Sequence, residues 1–355
     1  MLIYKLILRL RHRAYDSGRR PVAEAGVPTI CVGNVTVGGT GKTPLTELIL
    51  RTLEGRRLAV LSRGYGRKTK GYLEVDPAGD AALYGDEPLQ IARKFPSVRV
   101  VVDEDRVEGC NKIGSSVDAI ILDDAYQYRR LKASLNIVLV DYNRPVFKDS
   151  LLPFGRLRDL PERIFKADMI IVTKCPAAMS DYEKGCYSQD YLKMTGYEPA
   201  SHSAYTPAGD KIPVLFTTVE YAKPVPVFEG AEPSWPRSDK AVVISGIARN
   251  APFIDHLAAS YSLTKVFSFP DHHIFSEKDI RSFGDAILLN PFACFFTTEK
   301  DAQRLLKCAG LSNDVKKRLF AVPIEARFLS SAESDLFSSL LKDLTEGGVK
   351  ADNVL

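Results

Sequence analysis

Short apolar runs rich in β-branched residues alternate along this chain with stretches of helical spacing. Each run is too short for a buried helix and is apolar at successive positions, which is typical of strands covered on both faces of a parallel sheet. The first set of runs comprises 28–35, 58–62, 98–102, 119–122, 135–140 and 169–173. Between them, Leu45, Ile49 and Leu53 share one face of a predicted helix. The pattern predicts an α/β fold whose parallel sheet is covered by helices.

A second, shorter set of strand-like runs follows after residue 240. It comprises 241–247, 265–269, 293–297 and 319–323, and it predicts a smaller second α/β domain. The intervening segment, 205–237, contains six prolines, which exclude a regular helix there. We therefore predict a first domain at 21–204, a proline-rich connector with some extended structure at 205–237, a smaller domain at 238–328, and a C-terminal helix and tail at 329–355.

The first 20 residues predict an amphipathic helix. One face carries apolar side chains, and the opposite face is basic. The apolar positions are Ile3, Leu6, Ile7, Leu10 and Ala14, and the polar ones are Lys5, Arg9, His12 and Arg13. The segment is too short and too charged to span a bilayer. It also lacks the features of a signal peptide, in which the charge precedes the apolar run and a small-residue cleavage site follows it. It fits a helix lying on an anionic membrane surface, and equally a helix packed on the protein's own core.

Composition narrows the possible partners only slightly. The 355 residues carry a formal net charge of +4 and show no basic stripe with interleaved aromatics, so we expect no nucleic acid partner. The six cysteines are scattered without a CxxC pair, which indicates thiols in a reducing compartment. We also expect the protein to be a monomer.

A glycine-rich turn between the first predicted strand and the following helix has the context of a phosphate-binding P-loop. Its backbone N–H groups and the helix N-terminus are suited to phosphate oxygens, Lys42 to the β- and γ-phosphates and the Thr43 hydroxyl to Mg²⁺. The turn comprises Thr36, Val37, Gly38, Gly39, Thr40, Gly41, Lys42 and Thr43. Thr36 stands where the usual pattern has glycine, and we expect Gly38 and Gly39 to provide the backbone freedom.

Two acidic residues, Asp123 and Asp124, end a later apolar strand. Ligands of open α/β sheets bind at the carboxyl ends of strands, so either residue is a candidate second ligand of Mg²⁺, beside the Thr43 hydroxyl. The nucleotide itself is suggested by Thr173-Lys-Cys-Pro176, where a GTP-binding protein would carry an acidic residue for guanine. Pro176 has no carboxylate, and ATP is favoured.

Seven phrases in order extend this picture beyond the P-loop. They are the P-loop phrase 33–44, Leu61-Ser-Arg-Gly-Tyr-Gly66, Gly85-Asp-Glu-Pro88, Glu104-Asp-Arg106, Asp123-Asp-Ala-Tyr-Gln-Tyr128, Leu151-Leu-Pro-Phe-Gly-Arg-Leu-Arg158 and Phe269-Pro-Asp-His-His273. Together they resemble the tetraacyldisaccharide 4′-kinases of Gram-negative lipid A biosynthesis, and the match runs to about residue 301.

The resemblance implies transfer of the ATP γ-phosphate to the 4′-hydroxyl of a tetraacylated glucosamine disaccharide 1-phosphate. It implies a peripheral protein on the cytoplasmic face of the bacterial inner membrane, which strengthens the membrane interpretation of the first helix. It also assigns Asp105 as the base that accepts the acceptor's proton, supported by His272 from the other domain, with closure of the domains assembling the pair. Lys42 and Asp124 complete the catalytic group that we expect.

Further site residues follow from the same resemblance. Glu87 is a candidate for the magnesium shell, beside Asp86. Candidates for contact with substrate are Ser62, Arg63, Arg67, Gln127, Arg158 and Lys300. For each basic residue among them, a surface ion pair is the alternative.

The chain departs from the family pattern at two positions. The family usually has Asp-Asp-Gly-Phe-Gln-His where this chain has Asp123-Asp-Ala-Tyr-Gln-Tyr128. Ala125 indicates a backbone that does not need a positive φ there. Tyr128 in place of histidine leaves open what becomes of that side chain's role.

Two other functions remain open from the residues. One is a soluble small-molecule kinase with the same P-loop, and the other is a membrane-associated P-loop ATPase or regulator.

Overall fold

The computed structural model describes residues 2–231, 239–271 and 273–347. The chain folds into two compact units. The first unit comprises Met1–Glu220 and Glu325–Leu355, and the second comprises Tyr221–Ile324.

The first unit is built on a large, mostly parallel sheet. Its strands, in chain order with β1 and β7 forming a separate small pair, are β1 (Ala23–Glu24), β2 (Thr29–Gly33), β3 (Leu58–Ser62), β4 (Leu73–Glu74), β5 (Arg99–Val102), β6 (Ala119–Asp123), β7 (Leu131–Lys132), β8 (Leu135–Asp141), β9 (Met169–Thr173), β10 (Thr195–Glu198), β11 (Ser203–Tyr205) and β12 (Lys211–Tyr221). The spatial order is β10-β11-β12-β9-β8-β2-β6-β3-β5-β4, and the run from β12 to β5 is parallel.

Helices cover both faces of this sheet. They are α1 (Leu2–Asp16), α2 (Lys42–Thr52), α3 (Ala81–Tyr84), α4 (Asp86–Lys94), α5 (Arg106–Ile113) and α6 (Asp181–Asp190), with 3₁₀ turns at Gly114–Ser116, Val146–Lys148 and Pro161–Lys166. Strand β2 shows how the sheet separates two cores, because Ile30 and Val32 pack with α2 while Cys31 packs on the opposite side with α5. The α/β fold with a parallel sheet covered by helices is confirmed.

The second unit has a smaller sheet in the order β13-β17-β16-β14-β15. Its strands are β13 (Val225–Pro226), β14 (Lys240–Ser245), β15 (Ser262–Ser268), β16 (Cys294–Thr298) and β17 (Leu319–Val322), and its helices are α7 (Ala251–Ala258), α8 (Glu277–Leu289), α9 (Glu299–Leu305) and α10 (Asn313–Lys316). The four later strands are parallel, as predicted for a second α/β domain.

The predicted boundaries differ from the structure at two places. Much of 205–237 is not a connector, because β12 occupies Lys211–Tyr221 and pairs with β9 inside the main sheet. The prolines misled the prediction since Pro213 lies near the start of β12, where a strand tolerates proline. Residues 232–238 of the predicted connector lie outside the described residues.

The chain also returns to the first unit at its end. Strand β18 (Ile324–Phe328) pairs with β12, and α11 (Ser331–Gly347) packs against α2. Phe337, Leu341 and Leu344 of α11 are buried in the same core as Leu45 and Ile49. The C-terminal helix is therefore part of the first unit rather than a separate appendage.

Helix α1 packs on the first unit by a face that the sequence pattern did not single out. Leu8 is buried in the core, and the Tyr4 hydroxyl donates to the backbone oxygen of Arg158 at 3.0 Å. His12, predicted on the polar outer face, is instead buried against Asp159, with Nε2 and Oδ1 2.6 Å apart. The predicted apolar stripe faces away, and Ile3, Leu6, Ile7 and Leu10 are more than half exposed.

Candidate active site

The P-loop lies over the carboxyl end of β2, which runs between β6 and β8 at the centre of the sheet. Gly41 precedes α2 with φ of 89°, and a Cβ there would lie 3.5 Å from the Thr173 side chain. Gly38 also has a positive φ, 94°, whereas Thr36 takes part in an extended bridge to Leu157. Gly38 thus provides the freedom that the threonine at the first position lacks.

Side chains from β8 and β9 hold the loop from one side. The Thr173 hydroxyl donates to the Thr40 backbone oxygen at 2.8 Å, and Arg144 and Lys174 both donate to the oxygen of Gly39. Asp141 in turn binds Arg144 at 3.0 Å and Lys174 at 2.8 Å. Sequence reasoning missed this group, although Asp141 and Lys174 lie at the carboxyl ends of neighbouring strands, where a ligand site was expected.

Asn34 joins the loop to its surroundings from within. Its side-chain amide donates to Thr40 Oγ1 at 2.6 Å, and its backbone oxygen accepts from Gln127 Nε2 at 2.6 Å. Gln127 was predicted to contact substrate. In the structure its amide is committed to the strand that enters the P-loop.

Asp123 ends β6 directly beside β2, with Val32 as its partner in register. Its side chain is buried, and its Oδ1 has no hydrogen-bond partner among the described residues. Burial, followed by the nearby negative charges of Glu87 and Asp124, raises the pKa of Asp123 from 3.8 to about 7. The positive charges of Lys42 and Arg106 offset these effects only in part.

Asp124 has the opposite environment. It adopts a left-handed conformation with φ of 50°, and Arg158 binds its carboxylate in a bidentate pair, with one distance of 2.9 Å. Lys42 Nζ lies 3.7 Å from its Oδ1. Burial opposes ionisation, but the Arg158 hydrogen bonds and the Lys42 charge lower the pKa of Asp124 overall. Ala125, as predicted, needs no positive φ; that conformation falls on Asp124.

Asp105 caps the N-terminus of α5, where its Oδ1 accepts from the backbone N–H groups of Val107 and Glu108. The Tyr128 hydroxyl donates to the same oxygen at 2.7 Å, and Arg130 Nη1 donates to Oδ2 at 2.9 Å. The Tyr128 bond is the largest cause of a lowered pKa at Asp105. Tyr128 thus remains connected to the site through its hydroxyl, a contact that the sequence did not reveal.

Three predicted substrate residues lie at the end of β3 and after it, and they differ in how free their side chains are to contact a substrate. Ser62 is buried with its Oγ 3.5 Å from Asp123 Oδ2. Arg63 is exposed, and its charge acts on Arg106, which lies near both aspartates. Arg67 is bound to Glu104 and to the Gly71 backbone oxygen, with its side chain 4% exposed, which corresponds to the ion-pair alternative.

Two predicted residues, His272 and Lys300, fall within the range of the second unit. Lys300 Nζ lies 3.6 Å from Asp271 Oδ1 at the carboxyl end of that unit's sheet. His272 lies outside the described residues. His273 next to it pairs with Asp279 at 3.0 Å.

The oxygen ligands near the P-loop suit Mg²⁺, which needs only one or two protein carboxylates, better than a metal ion that is coordinated by protein side chains alone. Within the described ranges, no group of three His, Cys, Asp or Glu side chains is placed to hold a metal. Magnesium commonly takes one or two carboxylates and completes its shell with water and substrate phosphates. The unpartnered Oδ1 of Asp123 fits that pattern, and Asp124 and the Thr43 hydroxyl in the first turn of α2 are further candidate ligands.

Comparison with known proteins identifies the family. A family model described as tetraacyldisaccharide-1-P 4′-kinase matches residues 1–345. The tetraacyldisaccharide 4′-kinase of Bacteroides thetaiotaomicron is 35% identical over 93% of this chain and 88% of its own, and that of Cytophaga hutchinsonii is 35% identical over 94% and 91%.

A solved structure agrees over the whole length. The LpxK crystal structure from Aquifex aeolicus, described as an "apo" form in complex with ATP, has a TM-score of 0.73 and 26% identity, covering 97% of this chain and 96% of that one. With relatives above 30% identity across nearly the full length, the chain belongs to the tetraacyldisaccharide-1-phosphate 4′-kinase family.

Proposed function

We propose that this kinase transfers the γ-phosphoryl group of ATP to the 4′-hydroxyl of a tetraacylated glucosamine disaccharide 1-phosphate. The observation that carries this proposal is the cluster of Lys42, Arg158 and Asp124 at the mouth of the P-loop. The two cations of this cluster support the proposal, because they could stabilise the negative charge of a transferring phosphoryl group. Catalysis of phosphoryl transfer consists mostly of such positioning and charge stabilisation.

The donor side rests on the P-loop and its cations. The N-terminus of α2 and the turn at 36–43 would bind the ATP phosphates. Lys42 and Arg158 would exchange part of their contact with Asp124 for phosphate oxygens as the nucleotide enters. Arg144 and Lys174, which hold the Gly39 carbonyl, keep the turn in place.

The metal side rests on Asp123, Asp124 and the Thr43 hydroxyl, with Glu87 in the outer shell. Mg²⁺ would supply positive charge to the β- and γ-phosphates. The buried, unpartnered Oδ1 of Asp123 and the adverse charge of Glu87 both favour a cation at this place.

The acceptor side rests on Asp105. Four donors hold its carboxylate in one orientation, and its side chain keeps one third of its surface exposed. A carboxylate held as the anion can accept a hydrogen bond from the sugar hydroxyl and take its proton as the new bond forms. Ser62 and Arg63 are the candidates of this unit for contact with the substrate, while His272 and Lys300 stay predictions from the family pattern.

The membrane side rests on α1. Its exposed Ile3, Leu6, Ile7 and Leu10 form an apolar stripe on a helix that is otherwise docked on the kinase fold. No described helix combines the length and apolar character needed to cross a bilayer. A stripe of this kind would lie in the interface, at the cytoplasmic face of the inner membrane, where a tetraacylated acceptor is found.

Substitution of Asp105 by asparagine tests the acceptor side. Asparagine caps a helix about as well as aspartate, so the D105N protein should fold while losing the carboxylate. We expect phosphorylation of the acceptor to fall by at least 100-fold with ATP affinity unchanged, as general base catalysis contributes about 10²–10⁴.

Glu108→Gln is the matched control. Glu108 lies one turn along α5 and pairs with Lys112 on the surface, so this variant should keep wild-type activity. Near-normal phosphorylation by D105N would exclude Asp105 as the base.

A further inference from the structure

An open basic cleft lies between the second half of α1 and the 3₁₀ turn at Pro161–Lys166. Its volume is about 500 Å³, and Arg9 and Arg13 of α1 line it opposite Arg163 and Lys166. Asp16 and Glu162 are the acidic residues among those that line it. The buried pair of His12 and Asp159 joins its two walls.

The cations of this basic cleft are largely uncompensated. Asp16 is bound by Arg129 at 2.7 Å, and its charge also acts on Arg163, so Glu162 is the one other acidic side chain of the described residues that lines the cleft. Arg9, Arg13 and Lys166 are exposed, and within the described part of the chain none of their side chains makes a hydrogen bond or an ion pair. Arg163 Nε is buried without a hydrogen-bond partner there. Like charges gathered in this way repel one another, and a bound anion would relieve that repulsion.

The position of the cleft on α1 indicates which anion. Successive helix residues are about 100° apart. Arg9 and Arg13 therefore lie beside the exposed stripe of Leu6 and Leu10 and away from the docked face of Leu8. When the stripe enters the interface, the two guanidinium groups come to the depth of lipid phosphates. Arginine binds phosphate oxygens through paired N–H donors.

We infer that the basic cleft binds the phosphate of an acidic phospholipid headgroup, so that one lipid bridges α1 and the turn at 161–166. This inference rests on the proposed membrane function and adds a defined lipid site to it. The turn leads back to Asp159 and Arg158, whose backbone oxygen accepts from Tyr4 of α1. Lipid in the cleft would thus hold α1 against the segment that carries Arg158.

Vesicle binding of the full chain tests the site. The probes are phosphatidylcholine vesicles with and without phosphatidylglycerol, and the variant is R13Q/K166Q, which removes one cation from each wall. We expect the variant to lose about 30-fold in affinity for the acidic vesicles, since each basic residue near an acidic surface contributes about 1 kcal/mol. Its affinity for neutral vesicles should match the wild type.

The matched control is K278Q/K317Q, which removes two exposed lysines of the second unit. It should bind both kinds of vesicle as the wild type does. An equal loss in both double variants would mean diffuse attraction and would overturn the inference, as would no loss in R13Q/K166Q.

Two further experiments test whether the cleft binds a phosphate other than that of a phospholipid headgroup. The lipid inference fails if inorganic phosphate releases the wild-type protein from acidic vesicles. It also fails if neutral vesicles containing the tetraacylated acceptor reproduce the whole effect, since the cleft would then belong to the acceptor. A wild-type protein without kinase activity would refute the proposed function and leave the vesicle comparison valid.

Discussion

At the scale of single residues, three carboxylates of one site have three different environments. Asp123 is buried, its Oδ1 has no hydrogen-bond partner among the described residues, and its pKa is raised to about 7. Asp124 is bound by Arg158, and Asp105 by Tyr128, and both have lowered pKa values. A metal ligand, an anchor for cations and an acceptor of hydrogen bonds need these different states, so the division supports the three roles proposed.

Asp123→Asn should stabilise the protein in the absence of Mg²⁺. The folded-state pKa of Asp123 is raised from 3.8, so folding is increasingly penalised as pH rises from about 4 to about 7 and fully penalised above. The melting temperature of D123N should exceed that of the wild type by several degrees above pH 7 and converge with it near pH 4, while activity is lost.

Asp118→Asn is the control for D123N, because the pKa of Asp118 is shifted in the opposite direction. Hydrogen bonds from Arg57 lower the pKa of Asp118, so its removal should leave the melting temperature unchanged or lower it. Destabilisation by D123N above pH 7 would contradict this account, because it would mean that the ionised carboxylate of Asp123 stabilises the fold.

Tyr128→Phe should impair catalysis through Asp105. Loss of the hydroxyl removes the main cause of the lowered pKa at Asp105, so the acid limb of kcat should move to higher pH. The hydroxyl also holds the carboxylate in one orientation, and loss of that positioning should lower kcat by ~10-fold with little change in KM for ATP.

Tyr72→Phe is the matched control, because the Tyr72 hydroxyl also donates to a carboxylate, that of Glu74, away from the site. Its pH profile should equal that of the wild type. If the acid limb of Y128F does not move, Tyr128 does not act on Asp105 as described.

At the scale of elements, α1 combines three surfaces on fifteen residues. One carries Leu8 into the core, a second exposes Leu6 and Leu10, and a third presents Arg9 and Arg13. The helix therefore packs on the protein's own core and also exposes an apolar stripe. The two alternatives from the sequence, a helix on a membrane surface and a helix packed on the core, are not exclusive.

Leu6→Gln and Leu8→Gln should have opposite effects although they lie two residues apart. L6Q should keep the wild-type melting temperature because Leu6 is exposed. It should bind vesicles at least ~10-fold more weakly, because moving a leucine side chain from water into an apolar environment is favourable by about 1.5–3 kcal/mol. L8Q should melt at a lower temperature because it buries an amide in the core. Vesicle affinity of L6Q equal to the wild type would exclude the stripe as the membrane contact.

The sequence predicted the elements whose pattern is local. Strands β3 and β9 were predicted with their observed bounds because every residue in them is apolar or buried. Strand β12 was missed because Pro213 within it and the prolines that follow it resemble those of a linker. The ion pairs of Arg158 with Asp124 and of Lys174 with Asp141 join residues more than 30 positions apart, and no periodicity or motif spacing encodes them.

At the scale of the whole molecule, the chain closes its first unit with its own C-terminal helix. Glu333 at the start of α11 is fully buried, binds Lys184 of α6 at 3.0 Å and accepts from the backbone N–H of Phe216 in β12 at 2.9 Å. One side chain thus joins α6, α11 and the sheet. The P-loop helix α2 packs on α11, so this junction also supports the site.

Glu333→Ala should strongly destabilise the first unit, because it leaves the buried Lys184 without a counter-charge. Breaking a buried pair in this way costs about 3–5 kcal/mol. Glu346→Ala, on the same helix, removes an exposed pair with Arg56 and should cost less than about 1 kcal/mol. Similar denaturant midpoints for the two variants would contradict the role given to Glu333.

The central claim is transfer of phosphate from ATP to the 4′-hydroxyl, and a single-turnover reaction tests it most directly. The full chain is mixed with γ-labelled ATP, Mg²⁺ and a tetraacyl disaccharide 1-phosphate in mixed micelles, and the labelled products are separated and located by NMR. We predict that the label appears as a phosphate monoester at the 4′ position, with little inorganic phosphate. Label found only in inorganic phosphate, with the acceptor unchanged, would contradict it.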